Sequence, residues 1–139
     1  MSLGFTLDPF GTVKEIIVAW QPKRSRTEKG YKESLVTELG AKLKKQKIDP
    51  EYGSGRQKVD IVVADKVPIE IKKDLKSNSV YHSVRGQLGD YLEKWERVIL
   101  VLCGDIDHNL LKSLKKYAKD KENALNWIMG ERIIIIVKN

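Results

Sequence analysis

The sequence predicts an α/β domain with a mixed central β-sheet flanked by helices, three layers in all. Three observations predict it. Two wholly apolar runs, residues 98–103 (VILVLC) and 133–137 (IIIIV), have the length and branched side chains of strands in a parallel or central position. Segments between and before them repeat apolar residues every three to four positions, the spacing of half-buried helices. Residues 59–74 (VDIVVADKVPIEIKKD) read as a β-hairpin, with Asp65-Lys66 as a turn between two apolar stretches.

Taken in order, Asp8 followed by Pro9 supplies an N-cap and a proline at the first helical position. Phe10, Val13, Ile16, Ile17 and Trp20 follow at helical spacing until Pro22 ends the pattern. A basic linker, residues 21–26 (QPKRSR), leads to a stronger helix over about 27–46, capped by Thr27. Its stripe is Tyr31, Leu35, Leu39 and Leu43, with Val36 beside it. Residues 48–55 (IDPEYGSG) are turn-rich, with a short strand at their start, and the hairpin spans about 58–73. Residues 77–80 (SNSV) open a third helix whose Val84, Leu88, Leu92 and Trp95 share a face. Its Gly86 and Gly89 cost helix propensity but let a neighbouring backbone approach. The 98–103 strand follows, then a helix over about 107–122 capped by Asp107, with Leu110, Leu111, Leu114 and Tyr117 inward, then the 133–137 strand. Trp20, Trp95 and Trp127 are expected as core anchors.

A chain of 139 residues suits one domain, here a core of about 28–139 with an N-terminal helical extension of about 8–22. No apolar run approaches the roughly 20 residues that span a bilayer, so no membrane association is expected. The single cysteine, Cys103, excludes an intrachain disulfide and suits a reducing, cytoplasmic location. Together with two separated histidines, His82 and His108, it leaves no set of ligands for structural zinc. The formal net charge is +7 (26 basic against 19 acidic residues), concentrated towards the N-terminal half, which favours polyanionic partners.

The charged residues of the hairpin carry the chemistry. Glu70 and Lys72 are two apart on one strand, so they leave the same face while Ile69 and Ile71 fill the other. Asp60 joins them only if the hairpin has an odd-length loop or a bulge, because a two-residue Asp65-Lys66 turn would set Ile61 opposite Glu70. Two converging carboxylates repel unless a cation lies between them. Mg²⁺ is such a cation, with the Ile71 carbonyl as a further oxygen. An adjacent lysine can orient water and stabilise charge on phosphoryl oxygens. On their own, the residues allow a solvated structural ion pair as well. Residues 53–59 (GSGRQKV) before the hairpin mimic a kinase glycine-rich loop, but the chain is too short for that fold and has no HRD or DFG.

Asp60 and Glu70-Ile71-Lys72, preceded by a helix bearing Glu33 and followed by a helix with Gln87 and Tyr91, resemble the PD-(D/E)XK nuclease superfamily. The resemblance spans about residues 28–104 and implies the restriction-endonuclease-like fold. Gln87 and Tyr91, four apart on one helix face, are similar to the Gln-x-x-x-Tyr motif of the RecB-like branch. Val59 stands where the name-giving proline would be. The resemblance implies a Mg²⁺-dependent deoxyribonuclease, Mn²⁺ substituting, that hydrolyses DNA phosphodiesters endonucleolytically to 5′-phosphate and 3′-hydroxyl ends. Asp60, Glu70 and the Ile71 carbonyl would hold the metal, with Glu33, or alternatively Glu38, completing the acidic cluster. Lys72 would activate water, and Gln87 and Tyr91 would position the strand. Arg56, Lys58, Lys73 and Arg85, with the linker cations, would contact backbone phosphates, and a homodimer would cut both strands. The rival expectation is a non-catalytic nucleic-acid-binding or assembly module that keeps this fold.

Overall fold

The computed structural model describes residues 5, 7–55, 58–122 and 131–139; Arg56 and Trp127 lie outside them. The elements run α1 (Pro9–Ala19), α2 (Glu28–Lys42), β1 (Ile48–Tyr52), β2 (Val59–Val63), β3 (Val67–Leu75), α3 (Asn78–Lys94), β4 (Val98–Ile106), α4 (His108–Asp120) and β5 (Ile133–Lys138). They form one mixed sheet in the order β1-β2-β3-β4-β5. The first three strands are an antiparallel meander, and β3, β4 and β5 run parallel through α3 and α4.

Four helix starts are fixed by side-chain caps, as their sequences dictate. Asp8 accepts from Gly11 N, Thr27 from Gly30 N, Ser77 from Val80 N and Asp107 from Leu110 N. Helix α2 ends at Lys42, a turn earlier than its pattern predicts, with Leu43 N donating to Leu39 O at 2.8 Å. The reason is visible in the sequence: Lys44, Lys45 and Gln46 offer nothing apolar to bury a further turn.

Period-two alternation divides the core between the two faces of the sheet. On one face, Ile61, Val63, Val67, Ile69, Ile71, Ile99 and Val101 pack against Val13, Ile17, Trp20, Tyr31, Leu35 and Leu39 of α1 and α2. On the other, Val62, Leu100 and Leu102 pack against Val84, Leu88 and Tyr91 of α3 and Leu114 of α4. Trp20 is the anchor expected of it, buried with Nε1 donating to Ser34 Oγ, whereas Trp95 is only half-buried and meets Tyr52 edge-to-face. Of the two α3 glycines, Gly89 lies against another element: a Cβ there would sit 3.6 Å from the Tyr117 hydroxyl of α4, while Gly86 faces open space. The close approach is therefore to a side chain and not to a backbone. Among the described residues, no helix is long and apolar enough to cross a membrane.

Candidate active site at the open edge of β3

The β2–β3 register meets the condition set by the sequence. Val63 pairs with Val67, Val62 with Pro68 and Ile61 with Ile69, so the connection has three residues, Ala64, Asp65 and Lys66. Ala64 and Asp65 adopt left-handed backbone (φ 54° and 57°), and Lys66 N donates to Val63 O at 2.9 Å. Continuing that register by one residue sets Asp60 opposite Glu70, on the α3 face of the sheet.

Beyond Ile61 the backbone ladder gives way to side chains. Ile71 N donates to Asp60 Oδ2 at 2.9 Å, and Lys73 N donates to Glu28 Oε1 at 3.0 Å. Two successive outward amides of β3 are thus satisfied by carboxylates instead of strand carbonyls, as buried or half-buried N–H groups require. In an extended residue the carbonyl points to the same edge as the N–H, so the Ile71 carbonyl opens towards Asp60.

Glu70 is the one charged residue in the described core, with 3% of its surface exposed. Its Oε1 accepts from the Tyr91 hydroxyl at 3.0 Å, and its Oε2 lies 4.0 Å from Lys72 Nζ. Burial, reinforced by the neighbouring Asp60 charge, pushes its carboxyl up to about 8 against the opposing pull of Lys72 and Tyr91. The protonated form of Glu70 is therefore favoured at neutral pH. The Tyr91 phenol is itself raised by burial and by the Glu70 charge. It also lies 2.9 Å from Lys58 O. With one proton and two acceptors, it donates to Glu70 when that group is ionised, and is free to donate to Lys58 O when it is not.

The structure thus brings together Asp60, Glu70, Lys72 and Tyr91, with the Ile71 backbone between them. Gln87, one turn before Tyr91, is half-buried, and its Oε1 is buried with no partner among the described residues. Glu33 is not brought in: it is exposed on α2, and its carbonyl accepts from Thr37 Oγ1 at 3.0 Å. Glu38 is half-exposed. No group of three or more His, Cys, Asp or Glu placed to hold a metal forms among the described residues. The α2 carboxylate that reaches β3 is Glu28, which sequence reasoning missed. Its signal was available as an acidic residue in the first helical turn, but that position reads equally as a partner of the helix dipole.

The candidate phosphate contacts are dispersed. Lys58 Nζ pairs with Glu51 at 3.2 Å, and the Lys73 ammonium pairs with Asp74. Arg85 lies over the rings of Tyr117 and Tyr81, at 4.6 and 5.7 Å from their centroids. Cys103 is buried with its thiol pushed up to about 12, mainly by burial, so it is no nucleophile at neutral pH. No protein-family model, curated protein or solved structure matches this chain.

Proposed function

We propose that this chain is a divalent-metal-dependent nuclease that hydrolyses DNA phosphodiesters, with a restriction-endonuclease-like core. The observation that carries the reading is the three-residue connection between β2 and β3, which sets Asp60 opposite Glu70 on the face that Lys72 shares. A solvated ion pair does not account for it, because Glu70 is buried beside a second carboxylate and its ionised form is disfavoured.

The donor set fits a hard divalent cation. Asp60, Glu70 and the Ile71 carbonyl are oxygen donors facing one edge, and Mg²⁺ commonly takes only one or two carboxylates from a protein. Mn²⁺ would be accepted by the same oxygens. A bound Mg²⁺ supplies charge neutralisation and Lewis acidity at the phosphoryl oxygens. The chain's own residues do the rest. Asp60 and Glu70 would hold the cation with Glu70 ionised, and the Tyr91 hydroxyl would then donate to that carboxylate and fix its rotamer. The Lys72 ammonium orients the attacking water and stabilises negative charge growing on the phosphoryl oxygens. Gln87, whose buried Oε1 has no partner among the described residues, would position the strand.

The exposed Glu33 and the two-carboxylate cluster favour a second reading, a nucleic-acid-binding or assembly module without turnover. Incubation of purified protein with plasmid and oligonucleotide DNA in Mg²⁺ or Mn²⁺ separates the two. Cleavage by the wild type that vanishes in Glu70→Ala and Lys72→Ala, with binding retained, supports the nuclease. Equal binding by wild type and Glu70→Ala, with no cleavage of any DNA form, overturns it.

A further inference from the structure

We propose that the cleft between the α1–α2 linker and the end of β3, lined by Arg24, Ser25, Arg26 and Lys73, is a phosphate site that holds the substrate strand beside the cut. The choice of a nucleic-acid strand as ligand rests on the nuclease reading, while the site stands on its own residues. The cleft has a volume of about 420 Å³ and is lined by three cations and a hydroxyl, with no carboxylate in its wall.

Two carboxylates flank it and hold its rim. Asp105 accepts from Arg24 at 3.2 Å and pairs with Lys76 at 3.8 Å, and Asp74 pairs with Lys73. Each contact fixes a long side chain yet leaves most of its donors free, since a guanidinium carries five N–H groups and an ammonium three. Arg26 has no acidic partner among the described residues.

Hydrogen bonds within the chain fix the backbone that carries these side chains. Ser25 Oγ donates to Thr27 O at 2.9 Å and accepts from Thr27 N at 3.2 Å, closing the turn that carries Arg24 and Arg26. Gly30 makes room for it, because a Cβ there would lie 2.0 Å from Ser25 Oγ. Behind Lys73, Asp105 N donates to Asp74 Oδ1 at 2.9 Å. That knot needs left-handed backbone at Asp74 (φ 61°) and at Gly104 (φ 77°), where a Cβ would meet Asp74 Oδ1 at 2.4 Å. A backbone fixed in this way spares the ligand the cost of ordering the turn.

Its position gives it a role. Lys72 and Lys73 are successive strand residues, so their side chains leave opposite faces of β3, Lys72 towards the paired carboxylates and Lys73 into the cleft. Between the two faces lies the edge where β2 no longer pairs, bordered by the Asp60 and Glu28 side chains. A strand whose scissile phosphate sits at Lys72 crosses this edge and delivers a neighbouring phosphate to Arg26 and Lys73. An internucleotide diester and a terminal monoester share that chemistry.

Fluorescence anisotropy with labelled oligonucleotides bearing hydroxyl or phosphorylated ends, in EDTA so that nothing is cut, tests the site. Arg26→Ala should weaken binding about three- to tenfold and reduce the slope of log affinity against log salt by about one. Lys116→Ala, an exposed cation on α4, should change neither. A preference for phosphorylated ends that disappears in Arg26→Ala assigns a terminal phosphate. Equal weakening for both kinds of end assigns an internucleotide one. An Arg26→Ala protein indistinguishable from Lys116→Ala, or a wild type that does not bind, overturns the proposal. Because binding is read without metal, Arg26-dependent binding by a protein that never cleaves sinks only the nuclease reading. Cleavage indifferent to Arg26 sinks only the cleft.

Discussion

Strands β3 and β4 are parallel neighbours of nine residues each, and they meet opposite conditions along their lengths. β4 lies between β3 and β5, so its amides have ladder partners on both edges, and every residue from Val98 to Gly104 is buried. β3 matches it only at Ile69, the last residue paired with β2 and the first paired with β4, although its burial runs on to Ile71. Past that point its free edge is served by Asp60 and Glu28, and its side chains become Glu70, Lys72, Lys73 and Asp74. The difference shows how a sheet acquires an acidic edge. Ending a ladder leaves donors that need acceptors, and carboxylates that meet this need also bring negative charge beside a buried glutamate. The open edge and the acidic site are one feature.

The two strands should therefore respond differently to substitution. Glu70→Gln on β3 should lower cleavage by at least about 10³-fold, on the order of 4 kcal/mol of transition-state stabilisation, while the fold persists. Leu100→Ala on β4 removes a fully buried side chain and should cost about 3 kcal/mol, lowering Tm by about 10 °C. Circular dichroism melts alongside cleavage assays check both. If Glu70→Gln melts as early as Leu100→Ala, Glu70 is a structural element and the contrast between the strands collapses.

The same contrast explains what was legible in the sequence. β4 announced itself because a strand with partners on both sides needs only apolar residues, and β5, an edge strand paired with β4 alone, did so because both its faces enter the core, Ile134 and Ile136 on one side and Ile133 on the other. Asp8, Thr27, Ser77 and Asp107 were readable as caps for a local reason: each bonds an amide three residues on. The facing of Asp60 and Glu70 was legible only as a condition on loop length. Left-handed Ala64 is no turn residue by propensity; its N–H is held instead by Lys47 O of the segment before β1, at 2.7 Å. Glu28 could be read only as a partner of the helix dipole. Its partner lies 45 residues away, and no local pattern distinguishes it from Glu33 on the same helix. Lys73 and the linker cations were legible as phosphate contacts, but their meeting in one cleft was not, since Asp74 and Asp105 come together only through the register of β3 on β4.

A smaller effect sharpens the comparison through pH. With chelator present, the folded chain holds the Glu70 proton up to about 8, whereas an unfolded glutamate releases it near 4.5. The raised value adds stability that is complete below about 4.5 and is lost as pH rises through about 8, because the folded state binds more protons across that window. Urea midpoints of metal-free protein should therefore fall from pH 5 to pH 8.5, more steeply than in Glu70→Gln. Mg²⁺ should restore stability at the upper end, where the carboxylate is ionised and available. A Glu70→Gln profile that parallels the wild type would mean that Glu70 does not titrate there.

The smallest effect expected is that of Tyr91→Phe, and it asks how the phenol divides one proton between two acceptors. Removing the hydroxyl should cost about 1 kcal/mol, mostly from the orphaned Lys58 carbonyl. Because the Tyr91 hydrogen bond favours the ionised form of Glu70, its loss should move the Glu70 titration above about 8, read from the side-chain carboxyl carbon shift. Metal affinity at pH 7 should fall with it, since a tighter proton competes better with the cation. β4 has no counterpart to this dependence, as its buried residues carry nothing to titrate below about 12. If Tyr91→Phe leaves the carboxyl shift unmoved, the phenol spends its proton on Lys58 O throughout, and Glu70 is held by Asp60 and Lys72 alone.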